Sequence, residues 1–258
     1  MAEIVGNIDV AQMVLYAFWL FFAGLLWYLF AENRREGYPL EDDVTGEYNR
    51  DAWLALPSPK TFLLPHGHGV RIFPHPENRD TRPIKAQRSA MTPGAPLVPT
   101  GNPMLDGVGP GAWCERPDYP DMTPHGTPKI QPLRVATEFR VNPRDTDPRG
   151  LPVVGADGVT AGTIKDVWVD QTENYVRYFE MELANGDIRL IPLHFALERA
   201  RRGTGREYYV HALLSSHFAD VPTTKSATEI TLLEEDKIQG YYGGGMLYAT
   251  PQRQEPLL

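Results

Sequence analysis

The chain has 258 residues and a formal net charge of −8, which argues against a nucleic-acid partner because phosphate backbones are held by clustered Lys and Arg. Its one cysteine, Cys114, excludes an intramolecular disulfide and an all-cysteine zinc site, and a lone thiol suits a reducing compartment. Of 24 prolines, 17 fall between residues 38 and 132, so that stretch is expected to lack regular helices and central strands.

Residues 10–31 contain no charge and are mostly apolar. A helix of that length covers roughly 33 Å, enough for the hydrocarbon core of a bilayer. Before it stand Glu3 and Asp9, and just after it come Arg34 and Arg35. Basic residues collect on the cytoplasmic side of a span, so the N-terminus is expected outside and the polar remainder in the cytoplasm. A cleaved signal peptide would need a basic n-region and a shorter apolar run. Ala17, Gly24 and Ala31 recur at seven-residue spacing, a stripe of small residues that would let another helix approach closely. Tyr16, Trp27 and Tyr28 are placed to anchor at the interfaces, whereas Trp19 lies too near the middle.

Residues 37–135 form the proline-rich part. Trp53, Leu54, Leu56, Phe62, Leu63, Leu64, Ile72, Phe73, Trp113 and Tyr119 recur through it, and disordered linkers are poor in such residues. The stretch therefore reads as an extended, ordered segment burying those side chains against a partner surface.

Residues 136–258 change character. Residues 151–155 run into Asp157-Gly158, a hairpin dipeptide; residues 163–170 and 175–183 read as strands; Asn185-Gly186 turns the chain into a strand at 188–193; another follows at 207–211. Four or five short strands with tight turns predict a small antiparallel barrel. Thr231 and Glu234 fit a capping box that opens a helix, with Glu235 and Asp236 in its positive first turn. The glycine run 243–245 is expected to end that helix. The predicted whole is one N-terminal transmembrane helix (1–36, span about 10–31), an extended segment (37–135) and a mainly-β domain with a C-terminal helix (136–258).

No catalytic motif emerges. His66 and His68 have no acidic or cysteine neighbour and make a poor metal site. The glycine run lacks the strand, lysine and Ser/Thr of a phosphate loop. Cys114 has no recognisable base beside it, and Ser215-Ser216 has no nucleophile-elbow pattern.

Several blocks, in order along nearly the whole chain, resemble one family. They are Asn-Arg-Arg-Glu-Gly-Tyr-Pro-Leu (33–40), Pro-Lys-Thr-Phe-Leu-Leu-Pro-His-Gly (59–67), Pro-Thr-Gly-Asn-Pro (99–103), Asp-Thr-Asp-Pro-Arg-Gly-Leu-Pro-Val-Val-Gly (145–155), Thr-Leu-Leu-Glu-Glu-Asp-Lys (231–237) and Gly-Gly-Met-Leu-Tyr-Ala (244–249). The resemblance is to the H subunit of the purple-bacterial photosynthetic reaction centre, and the strand region looks like the PRC-barrel of that family. It implies a non-catalytic subunit on the cytoplasmic face of the L and M subunits, in the photosynthetic inner membrane, with light-harvesting antenna and membrane lipids as further neighbours. Bacteriochlorophyll, bacteriopheophytin, quinones and non-haem iron would belong to the partner subunits, and none to this chain. The implied roles are stabilising the assembly, shielding the quinone end from water and helping protons reach the secondary quinone. The rival reading is a membrane-tethered PRC-barrel adaptor for a soluble partner, without a pigment complex.

A proton path needs groups that exchange protons near neutral pH within hydrogen-bond reach of water. Asp170 and Glu173 flank the turn after residues 163–170, with Arg177 on the next strand. Taken alone they read as a solvated turn with an arginine pair; the resemblance assigns them to the path near the quinone. His125 falls where the family carries its surface proton-intake histidines. Some members have a second histidine two positions later and an acidic residue two positions earlier, where this chain has Thr127 and Thr123. The intake cluster is thus depleted and no metal is expected there. Glu229 matches a carboxylate near the quinone pocket.

Overall fold

A computed structural model describes residues 3–5, 8–42, 44–47, 56–75, 80–201, 203 and 205–254. Trp53 and Leu54 of the expected partner-facing set lie outside the described residues. The chain falls into two compact units, Met1–Thr81 with Met91–Gly94, and Arg82–Ala90 with Ala95–Leu258.

In the first unit, β1 (Glu3–Val5) and β2 (Ile8–Asp9) form a short antiparallel pair ahead of α1 (Val10–Glu32). Asp9 caps α1 by accepting the Gln12 amide at 2.8 Å, satisfying one of the helix's orphan donors. Within the 23-residue helix an 18-residue window has a mean hydropathy of 2.0 and is not buried in the protein, which suits a surface meant for lipid or other apolar helices. Its far end is polar and tightly bonded. Glu32 accepts two hydrogen bonds from the Arg35 guanidinium and pairs with Lys60 at 2.9 Å. Arg35 also donates to the carbonyls of Ser58 and Phe73 at 2.9 and 2.8 Å. Those carbonyls flank the hairpin of β3 (Lys60–Leu63) and β4 (Val70–Phe73). One guanidinium thus joins the helix end to the hairpin, using the planar fork that makes Arg suited to several acceptors at once.

The second unit opens with the small hairpin of β5 (Ala86–Arg88) and β6 (Leu97–Pro99), followed by the single-turn α2 (Pro103–Asp106). As its prolines predict, the described part of 37–135 holds no strand longer than four residues. β7 (Ile130–Pro132) does join the main sheet, but it pairs with one neighbour only, the edge position in which proline is tolerated.

The main sheet runs β8 (Pro152–Gly155), β9 (Thr160–Asp170), β10 (Tyr175–Leu183), β11 (Ile188–Pro192), β12 (Ala196–Ala200) and β13 (Arg206–Val210), in the spatial order 11-10-9-8-13-12. Asp157-Gly158 and Asn185-Gly186 make the predicted turns, each glycine at positive φ. β13 runs parallel to β8, whereas the other ladders are antiparallel. No ladder joins β11 to β12 among the described residues; the one-turn 3-10 helix Leu193–Phe195 links them through the chain. β9 is the organising strand: β10 covers one edge, while β8 and β7 share the other, β8 along the first half and β7 along the second. Its second half is buried on both faces, from Asp166 to Asp170. Trp168, Tyr178, Met181, Ile191, Leu213 and Phe218 fill the core at no more than 1% exposure, each aliphatic burial contributing about 1.5–3 kcal/mol.

The C-terminal helix α3 (Leu232–Tyr248) starts at the predicted capping box, with Thr231 and Glu234 bonding each other's amides. The expectation that glycines 243–245 end it is corrected: α3 continues through them to Tyr248. They serve close packing instead. A Cβ on Gly243 would lie 2.7 Å from the Pro110 carbonyl oxygen, and one on Gly245 would lie 2.5 Å from that of Ala212.

Candidate functional site

The turn after β9 positions the two predicted carboxylates. Asp170 is the last residue of the strand, and the turn closes on Asn174 at φ +52°, a left-handed conformation that Asn accepts readily. The Asp170 Oδ1 accepts from the Thr172 amide and hydroxyl and from the Glu173 amide, at 3.0, 2.7 and 3.1 Å. That turn holds Asp170 inward at 1% exposure and leaves Glu173 on the surface.

Between them stands Lys129, which the sequence reading missed. Its ammonium lies 3.2 Å from Asp170 Oδ2, 3.6 Å from Glu173 Oε1 and 3.7 Å from Asp121 Oδ2. The Asp170 contact is an ion pair off the hydrogen-bonding direction, so the buried Oδ2 has no hydrogen-bond donor. Burial works against charge on Lys129, but the Asp170 carboxylate and then Asp121 and Glu173 outweigh it and hold the ammonium pKa above its usual value. Burial likewise works against the Asp170 anion, and the Thr172 hydroxyl, the turn amides and Lys129 outweigh it, leaving that pKa below the usual carboxylate value.

Lys129 reaches the site because β7 pairs with β9, setting Ile130 opposite Asp170. Gln171 reinforces this, its amide donating to the Lys129 carbonyl at 3.0 Å and its side chain to Pro128 and Gln131. Arg134 does the same at the other end of β7. It pairs with Asp166 of β9 at 2.9 Å and Glu180 of β10 at 2.8 Å, both carboxylates buried. Trp168 completes that group by donating to Glu180 at 2.8 Å. Nothing in a three-residue, proline-ended strand announces these partners in the sequence.

His125 is exposed at the tip of a turn over 123–127. The threonines at the depleted intake positions bond to each other, Thr123 Oγ1 to Thr127 Oγ1 at 2.8 Å. At the base of the same loop the Lys129 amide donates to the Asp121 carbonyl at 2.8 Å, so the loop runs from the surface histidine to the Lys129 group. Arg177 is not brought to Asp170 and Glu173: it makes no ion pair among the described residues. Its charge instead acts on Tyr178, Glu235 and His194. The one-residue irregularity between Val176 and Tyr178 accounts for this, since it breaks the register of β10 against β9 at Arg177. Glu229 is half-buried just before α3 and forms no ion pair among the described residues. No group of three or more His, Cys, Asp or Glu suited to a metal occurs among the described residues.

An apolar anchor helix joined to a sheet of this order defines a membrane-anchored protein of the PRC-barrel class, and the PRC-barrel domain family matches residues 143–210. The family described as photosynthetic reaction centre, H-chain N-terminal region, matches residues 2–135. The chain belongs to that H-chain family and is a subunit of a photosynthetic reaction centre. Membership implies a structural subunit that associates with L and M, with the complex's cofactors on those partners.

Proposed function

We propose that this subunit stabilises the L and M assembly, shields its quinone side from water and assists proton delivery to the secondary quinone during light-driven cyclic electron transport. In this reading residues 1–36 anchor, 37–135 lie along partner surfaces and 136–258 form the cytoplasmic barrel, with the N-terminus periplasmic. One observation carries the proton-delivery role: Lys129 gathers Asp121, Asp170 and Glu173 at the base of the loop that bears exposed His125.

Reduction of a quinone to quinol consumes two electrons and two protons, so carriers must reach a site that excludes bulk water. Histidine exchanges protons near neutrality, and exposed Glu173 offers an acceptor next to the buried carboxylate. Asp170 stays ionised beside Lys129 and fixes the turn that presents Glu173. Lys129 keeps three carboxylates together without neutralising any of them permanently.

Glu173→Gln removes the surface acceptor while keeping size and polarity. It is expected to slow the proton-coupled second electron transfer about tenfold, ~1.4 kcal/mol on the barrier, while charge separation on the partner subunits keeps its rate. Flash-induced quinol formation measured from about pH 6 to about pH 9 decides the matter; unaltered kinetics throughout would sink the role.

A further inference from the structure

The start of α3 carries three acidic residues in a row, two of them in its first turn, and they are used differently. Glu234 accepts the Thr231 and Lys225 amides, and Asp236 accepts the Cys114 amide. Glu235 receives no backbone amide. At 7% exposure it accepts one neutral donor, the Tyr178 hydroxyl at 2.8 Å, and Gln239 in turn donates to that hydroxyl at 3.4 Å. Tyr178 is itself 1% exposed.

Three charges face Glu235 from two parts of the chain: Arg177 from β10, and Arg116 and Asp121 from the segment ahead of β7. Neither arginine forms an ion pair with it among the described residues. Burial pushes its carboxyl pKa up, against the Tyr178 hydrogen bond and both arginines, and Asp121 adds to the rise. A buried carboxylate with one uncharged donor is poorly placed as a structural anion and well placed to hold a proton.

Glu235 is also wired to the Lys129 group. The Leu232 amide donates to the Tyr119 carbonyl at 3.1 Å, and Pro120 forms a bridge to Thr231. The next residue is Asp121, 3.7 Å from the Lys129 ammonium. Asp121 therefore acts on both sites, so negative charge lost or gained at one changes the cost of ionising the other.

We propose that Glu235 is a proton-storing carboxylate of this subunit, bonded to Tyr178 and coupled through Asp121 to the Lys129 group. On release the carboxyl O–H breaks, the proton passes to water and the anion keeps the Tyr178 hydrogen bond; uptake reverses the step when a partner-held quinone gains an electron. The assignment rests on the proton-delivery reading above. Its chemistry is distinct from that of Glu173, which faces solvent.

Infrared difference spectra of secondary-quinone reduction in the intact complex, in H2O and D2O, test it. The native complex is expected to show a deuterium-sensitive carboxylic C=O band that Glu235→Gln loses. Tyr178→Phe, which removes the one donor favouring the anion, is expected to move the band's pH midpoint upward. A band that persists in Glu235→Gln overturns the proposal. Should that variant fail to assemble, an unshifted midpoint in Tyr178→Phe does so. Glu173→Gln run in parallel separates the two ideas: slowed second electron transfer there with an unchanged Glu235→Gln spectrum rejects the store alone. A band lost in Glu235→Gln beside unaffected Glu173→Gln kinetics rejects the Glu173 path and keeps the store.

Discussion

At Asp170 the balance between desolvation and bonding has a measurable sign. Its folded pKa lies below the unfolded value of about 3.9. A depressed carboxylate contributes stability that is present above the unfolded pKa and is lost as pH falls through the folded one. Asp170→Asn removes that contribution and leaves Lys129 with two more distant partners. The substitution should cost about 1–2 kcal/mol at neutral pH, less than the roughly 3–5 kcal/mol of a fully buried pair because Lys129 is partly exposed. The gap between native and variant should close as the pH drops below about 4. Thermal unfolding of the full chain in detergent across that range measures it; a gap that does not change with pH means that the Asp170 anion is not its source. The residue scale also shows where reading the sequence stopped. Asp170 and Glu173 are legible as an acidic turn after a strand. Lys129, Asp121 and Glu235 gain their contacts from pairings that no local pattern announces, and Arg177 sits at an irregularity in the β10 ladder, apart from Asp170 and Glu173.

Elements were legible where local chemistry decides them. The span is charge-free, the hairpin turns carry Asp-Gly and Asn-Gly, and α3 begins at Thr231 and Glu234, all signals that act within four residues. β12 and the second half of α3 were less legible for the opposite reason. The sequence of β12, Ala-Leu-Glu-Arg-Ala, favours helix by propensity and becomes a strand only by pairing with β13. The glycines of α3 oppose a helix locally, and packing keeps them in one. Gly245→Ala should therefore behave contrary to propensity. On an exposed helix the change would stabilise by about 1 kcal/mol. Here the new Cβ would sit 2.5 Å from the Ala212 carbonyl oxygen, and overpacking of this kind costs about 1–3 kcal/mol. A lowered melting temperature with unchanged helical circular dichroism is expected; a raised one would mean that the backbone has room to yield.

Across the whole molecule, the order of its parts was readable because each has its own composition: apolar, then proline-rich, then β-patterned. The family match over residues 2–135 and 143–210 follows the same succession. The proposal that the barrel lies on the cytoplasmic side rests on charge. The residues ahead of α1 include Glu3 and Asp9 but no Lys or Arg, while Arg34 and Arg35 follow it, and each basic residue near a span resists transfer across the bilayer. The barrel supplies its own reporter in exposed Arg201, between β12 and β13. Trypsin added to inside-out membrane vesicles should cut after Arg201, and the same protease added to right-side-out spheroplasts should leave the chain whole. Cleavage confined to spheroplasts would reverse the orientation and with it the access of His125 to cytoplasmic protons. Protection on both sides would place β12 and β13 beneath a partner, which a repeat after mild dissociation of the complex would expose. The outcome bears on Glu173 and Glu235 together, because protons drawn from the cytoplasm are what their proposed positions serve.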